Sequence, residues 1–223
     1  MNPLKVILAS SSPRRRLFLS ALGLAHSTAA ADIDESPLPG EAAEHLALRL
    51  AQSKALAVAD NLRPDQRPAL VIGADTVVAL DGVLLGKPVD AQEATGMLAA
   101  LRGRIHQVHS ALAVVHVDHK IQDQRVTVNT THVTMRAYTD AEIAVYVATG
   151  DPLDKAGAYA IQHRGFDPVA RLDGCPAGVM GLPTADLLAL LAGFGVRVDC
   201  PVAAVCRSLA GLACCQIDSP SGG

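Results

Sequence analysis

Short continuous apolar runs alternate along this chain with stretches of helical period. The run Val6, Ile7, Leu8 predicts a short buried strand; the serines after it form a turn, with Ser12 as N-cap and Pro13 as the first residue of a helix that stops at Gly23. A strand or loop then leads to the acidic turn Asp32, Asp34, Glu35. From about Glu41 to Ala59 the apolar spacing is helical, and the stripe runs Leu46, Leu50 and, at the same interval, Lys54. A lysine on such a stripe ordinarily snorkels, carrying its charge out to water. "ALVIGADTVVALDGVLLGKP" reads as two apolar strands joined by the hairpin signal Asp81-Gly82. Only Asp75 and Thr76 interrupt the first, and a buried carboxylate there costs several kcal/mol unless a cation or donors satisfy it.

Asp90 to Gly103 predicts a capped helix, and strands follow at about 105–117 and 121–135. Thr139 to Gly150 predicts another capped helix, with Thr139 and Glu142 as its box. "DPLDKAGAYAIQHRG" is expected to enter a strand through Gly157, Phe166 to Leu172 to continue the sheet, and Thr184 to Ala192 to form a helix. This irregular mixture predicts an α/β fold with a mixed sheet, in a single domain over residues 1–195. Residues 196–223 are expected to form a C-terminal extension that carries none of the candidate site charges, so its removal is expected to leave catalysis largely unchanged.

Composition narrows the classes. The 223 residues are half hydrophobic, enough for one sizeable core, with three Phe, three Tyr, no Trp and a net charge of −3. Neither a basic surface nor stacking platforms for nucleic acid are visible. No apolar stretch approaches the roughly 20 residues of a membrane span, and a soluble cytoplasmic protein is expected. Four of the five cysteines crowd into the last 24 residues at spacings that match no common zinc pattern, so reduced thiols are expected. His106, His109, His116 and His119 are spaced by odd steps along strands, which sends neighbours to opposite faces and away from a shared metal. Gly82 to Lys87 is no P-loop: its glycines are one residue too close, and Pro88 stands where a hydroxyl is needed.

Candidate chemistry lies in the misfits. Arg14, Arg15 and Arg16 stand at a helix start, where each cation costs roughly 0.3–1 kcal/mol against the helix dipole. A bound anion, held by free amides and guanidinium groups, would compensate; a solvated basic turn is the alternative. Glu35 in its acidic turn, Lys54, Asp75, and Lys87 and Lys155 beside Gly and Pro add cations for phosphate oxygens and carboxylates for a divalent metal or a water. With no nucleophile elbow or dinucleotide fingerprint in the sequence, hydrolysis by an activated water is the preferred chemistry.

"ILASSSPRR", "GADTVV", "LLGKP", "DKAGAYAIQ" and "GLP" occur in the order, and at roughly the spacings, of the Maf family of nucleoside triphosphate pyrophosphatases, which residues 4 to 195 resemble. The resemblance implies a two-lobed α/β fold around an elongated mixed sheet, like that of the inosine triphosphate pyrophosphatases. It also implies hydrolysis of a nucleoside triphosphate to monophosphate and pyrophosphate with Mg²⁺ or Mn²⁺, and a homodimer. By position, Asp75 matches the family's catalytic acid/base or metal holder, with Glu35 as the second metal candidate. Lys54 and Lys87 match charged cleft residues, Ser10, Arg15 and Lys155 join the nucleotide site, and Arg14 is expected to be the best placed of the arginines. Arg14, Thr76 and Gln162 match the substrate-distinguishing positions, in the combination of the branch acting on dTTP and UTP rather than on 7-methyl-GTP. A regulator of septum formation that binds nucleotide without turning it over is the competing class; Asp75, an acid that a pure sensor does not need, favours turnover.

Overall fold

A computed structural model describes residues 4–211. In chain order it comprises β1 (Lys5–Ala9), α1 (Pro13–Ala21), β2 (Ser27–Ala29), α2 (Ala43–Asp60), β3 (Ala69–Leu80), β4 (Val83–Leu85), α3 (Ala91–Leu101), β5 (Ile105–Val117), β6 (Ile121–Met135), α4 (Asp140–Ala148), β7 (Val169–Asp173), α5 (Pro176–Val179), α6 (Thr184–Ala192) and α7 (Val202–Ala210). The expected caps form: Ser12, Asp90 and Thr139 each accept from the backbone amide three residues on. Seven strands make one mixed sheet in the order β2-β1-β3-β5-β6-β7, with β4 also on β3. β1 lies parallel to β2 and β3, while β3, β5, β6 and β7 run antiparallel in succession. The α/β fold with a mixed sheet expected from the pattern is the one observed.

β3 is central and buried on both faces. Leu70, Ile72 and Ala74 pack with α1, α6 and α7, whereas Val71 and Val77 face α2. A third apolar cluster joins the far end of β3 to α3 and α4 through Val78, Leu98, Val108, Tyr138 and Tyr146. The core thus has two lobes sharing one sheet. Gly73 sets the distance between α2 and β3: a Cβ there would lie 2.0 Å from the Ala51 carbonyl oxygen. Only a residue without a side chain permits that approach, and it places Lys54, one turn along α2, beside Asp75 on the same face of β3.

One stretch differs from expectation. Residues 157–165 form no strand; 3₁₀ turns span Asp151–Asp154 and Ala156–Ala158 instead. Gly157 and Ala158 have φ of 72° and 60°, left-handed values that an extended strand cannot contain. The Gly157 amide also donates to the Gly86 carbonyl at 3.0 Å, tying this turn to the loop after β4. Part of the C-terminal extension packs on the rest of the fold. Val202, Cys206 and Ala210 of α7 are buried, and the Cys206 Sγ lies 2.9 Å from the Thr184 Oγ1. Cys214, Cys215 and the closing "DSPSGG" lie outside the described residues.

Candidate active site

The register of β3 creates the site. On one edge, Ala69–Gly73 pair with β1 and Val78–Leu80 pair with β4, so Ala74 to Val77 have no strand beside them. Both faces of this short gap open into a cleft of about 870 Å³ between the lobes. Asp75 and Thr76 occupy the gap with their side chains on opposite faces of the strand. β1 ends just above it, and its continuation through Ser10 turns into the N-terminus of α1. Ligands of open α/β sheets bind in crevices of this kind, where neighbouring strands diverge beyond a strand's carboxyl end.

Lys54 does not snorkel. Its Nζ donates to the Asp75 Oδ1 at 2.6 Å and lies 2.8 Å from the Glu35 Oε1. The Lys54 and Asp75 side chains are 10% and 11% exposed, while that of Glu35, on the mouth side, is 59% exposed. The acidic turn after β2 therefore closes over α2, and two carboxylates from distant segments converge on one ammonium.

On the other face, the Arg15 Nε donates to the Gly181 carbonyl at 2.9 Å and its Nη1 donates to the Ser10 Oγ at 3.2 Å. Desolvation lowers the Arg15 pKa below the ordinary arginine value, with Asp75 and Glu35 opposing that shift. Both partners of this guanidinium are neutral, so its positive charge stays available to an anion. Arg15 is thus the recessed arginine, held in place. Arg14, expected to be the best placed, is exposed at the cleft, and Arg16 is exposed outside it. The Ser110 hydroxyl donates to the Gly178 carbonyl at 2.6 Å, so at the 3.0 Å contact between Thr76 and Ser110 it is Thr76 that donates. That spends the Thr76 proton and leaves its oxygen an acceptor.

The 3₁₀ turns carry the remaining wall. Lys155 Nζ donates to the Asp151 carbonyl and to the Asp151 and Asp154 carboxylates at 2.6, 2.9 and 2.6 Å. The Tyr146 hydroxyl braces Asp151 at 2.7 Å and accepts from the Ala160 amide at 3.0 Å. Lys155 is therefore committed to shaping the turn that presents Tyr159 and Gln162, whereas Lys87 is exposed across the cleft. All ten residues singled out from the sequence line this one cleft. Sequence reasoning missed Ser110, Gly181 and the Asp151–Tyr146 brace. Asp154, adjacent to Lys155, and Gly181, which opens "GLP", were the signals in view; the contacts themselves come together only through strand register and chain reversal.

Charge favours an anion. The lining holds five cationic side chains against three carboxylates, in a chain whose net charge is −3. Glu35 and Asp75 also suit a divalent metal: their oxygens already converge on one cationic point, Lys54 Nζ. No group of three or more His, Cys, Asp or Glu is placed to hold a metal among the described residues, so phosphate oxygens and water would complete the shell, as Mg²⁺ commonly prefers. Two of the four histidines on β5 and the turn after it have side-chain partners, His106 Nε2 with the Tyr159 hydroxyl at 2.7 Å and His109 Nδ1 with the Thr130 Oγ1 at 2.9 Å. No helix among the described residues is long and apolar enough to cross a membrane.

Fold and cleft together define an α/β domain with a cation-lined cleft at a gap in its sheet. The chain belongs to the Maf family: the family model described as "Maf-like protein" matches residues 5–194. Over 191 residues it is 45% identical to a protein of Myxococcus xanthus, covering 86% of this chain and 93% of that one. It is 43% identical over 198 residues to one of Methylobacillus flagellatus (89% and 96% covered) and 45% identical over 194 residues to one of Pelotomaculum thermopropionicum (87% and 98% covered). All three are named dTTP/UTP pyrophosphatase. Among solved structures, that of the Staphylococcus aureus Ham1 protein matches with a TM-score of 0.42 and 16% identity over 60% of this chain and 72% of that one.

Proposed function

We propose that this protein hydrolyses nucleoside triphosphates, dTTP and UTP foremost, to the monophosphate and pyrophosphate, with Asp75 as the residue that takes the proton of the attacking water. The observation that carries the reading is the Asp75–Lys54–Glu35 cluster in the gap of β3, opposite the recessed Arg15. Lys54 occupies Oδ1 of Asp75 and fixes the carboxylate in one orientation, leaving Oδ2 for water. Water adds to phosphorus, its proton passes to Asp75, and the anhydride bond to pyrophosphate breaks. Charge builds on the departing pyrophosphate, where the N-terminus of α1 with Arg14 and Arg15 on one side and Lys87 on the other can stabilise it. A divalent cation held by Glu35 and Asp75 would polarise phosphate oxygens and lower the pKa of bound water.

At the base end, Thr76 offers an acceptor and Gln162 an amide, which suit the imide edge of thymine or uracil. A site that pairs a base edge rejects a mismatched one because its polar groups are left unpaired. The relatives' shared name supports this choice of substrate. The test is pyrophosphate release from canonical and modified nucleoside triphosphates with Mg²⁺ or Mn²⁺. The highest kcat/KM is expected for dTTP, UTP and modified uridine or cytidine analogues. Fastest hydrolysis of 7-methyl-GTP or inosine triphosphate overturns the base assignment, and no release from any of them overturns hydrolysis.

A further inference from the structure

Helix α7 lies beyond the residues that the family model matches, yet it touches Gln162, a residue of the cleft wall. The Gln162 Nε2 donates to the Leu209 carbonyl at 2.6 Å. Leu209 stands in the last turn of α7, where carbonyls have no partner within the helix and carry the negative end of its dipole, so this oxygen is free to accept. Gly211, with φ of 69°, ends the helix by donating to the Arg207 carbonyl, and a Cβ on it would lie 3.6 Å from the same Gln162 nitrogen. The other end of the contact is firm, because Val202 and Cys206 seat α7 in the core cluster of α1 and α6, and Ala210 is buried as well. An exposed glutamine is thus tied to a helix anchored in the hydrophobic core.

We propose that α7 is a specificity element of this enzyme: the Leu209 carbonyl positions the Gln162 amide and fixes which way its oxygen and nitrogen face a base. This rests on Gln162 contacting the base, as read above. A free glutamine turns its amide over at little cost. It can then meet the N3–H and carbonyl of uracil in one orientation, and the N3 acceptor and amino group of cytosine in the other. With one N–H held by Leu209, the oxygen and the remaining N–H present a single donor–acceptor order. The tether therefore serves discrimination between pyrimidines more than binding of the triphosphate, which is held by groups on α1 and the loop after β4. Gln162 would be the base-contacting residue and Leu209 a positioning residue acting through it.

The test is a double-mutant cycle on the ratio of kcat/KM for UTP to that for CTP, using the full chain, a chain ended after Ser208, Gln162→Ala, and both changes together. Ending after Ser208 removes the carbonyl and keeps Val202 and Cys206. The expected result is a fall in the UTP:CTP ratio of about five- to tenfold, the scale of releasing one ordered polar side chain, with kcat for UTP changed far less. In the Gln162→Ala background the same truncation should leave the ratio unchanged. Should the shortened chain not fold, full-length Gly211→Val, which strains the helix end and crowds the amide, must lower the ratio in its place. If Gln162→Ala collapses the ratio while neither α7 variant does, the positioning role of α7 is wrong and the base contact stands. If Gln162→Ala itself leaves the ratio unchanged, the base contact fails and the role of α7 fails with it.

Discussion

Replacing Lys54 by Met, Asp75 by Asn, and both together separates what the buried pair does for folding from what it does for turnover. Lys54→Met leaves the Asp75 carboxylate in a site where its side chain is 11% exposed, facing Glu35 with no ammonium between them. Breaking a buried pair from one side costs about 3–5 kcal/mol, or on the order of 10 °C in Tm for a chain of this size. Asp75→Asn is gentler: the amide oxygen still accepts from Lys54, whose charge keeps Glu35, so about 1–2 kcal/mol is expected. The double variant removes both buried charges and should return to within about 1 kcal/mol of the wild-type stability. Activity should follow another order. Asp75→Asn is expected to lose about 10²- to 10⁴-fold in pyrophosphate release, and the double variant should recover none of it. Thermal unfolding and initial rates on the same four proteins provide the two readouts. A double variant that regains activity with its stability, or an Asp75→Asn enzyme above about a tenth of the wild-type rate, would refute Asp75 as the proton acceptor.

Chelation by EDTA should silence turnover and added Mg²⁺ or Mn²⁺ restore it, because two carboxylates facing a triphosphate need a cation to bridge them; full activity in excess chelator contradicts the metal assignment. Gln162→Ala should raise KM for dTTP and UTP more than for purine triphosphates, and an equal effect on all would remove Gln162 from base reading. Burial depresses the pKa of His106 from 6.5 to about 4, so the unfolded chain binds that proton more readily than the native one. The resulting stability, of order 3 kcal/mol, is fully present above about pH 6.5 and is lost as pH falls towards 4. His106→Gln should flatten the pH dependence of Tm in that window, and an unchanged slope would assign the acid sensitivity to other groups.

Local misfits were more legible in this sequence than the partnerships between them. Lys54 stood out because helical period put a charge on an apolar stripe, and Asp75 because it broke an apolar strand; each is a local signal that a single segment contains. That they answer one another depends on Gly73, where a missing side chain lets α2 close on β3, and nothing in the immediate pattern announces that partnership. The region after Lys155 misled for a related reason. Its alternating small and apolar residues fit a strand, but the Lys155 clamp and the left-handed Gly157–Ala158 pair turn the chain before a ladder can form. The arginines were legible as a group and not as individuals. Ser10 and the Gly181 carbonyl, far apart in sequence, select Arg15 to stand inside the cleft.

The cleft also explains how an acid and several cations can share a small volume without cancelling one another. Cations fall into two kinds by the partners they keep. Lys54 and Lys155 are held by carboxylates and give shape, the one orienting Asp75 and the other folding the turn that carries Gln162. Arg15 is held by a carbonyl and a hydroxyl, while Arg14 and Lys87 stand exposed, so in the proposed site these three would be the ones to meet phosphate oxygens. Substituting a shaping lysine should therefore cost stability together with rate, whereas Arg15→Ala should act chiefly on triphosphate affinity, losing about 10-fold or more in KM at a site this recessed. A rise in KM that matches the loss from Lys155→Ala, with equal changes in Tm, would erase the distinction between the two kinds of cation.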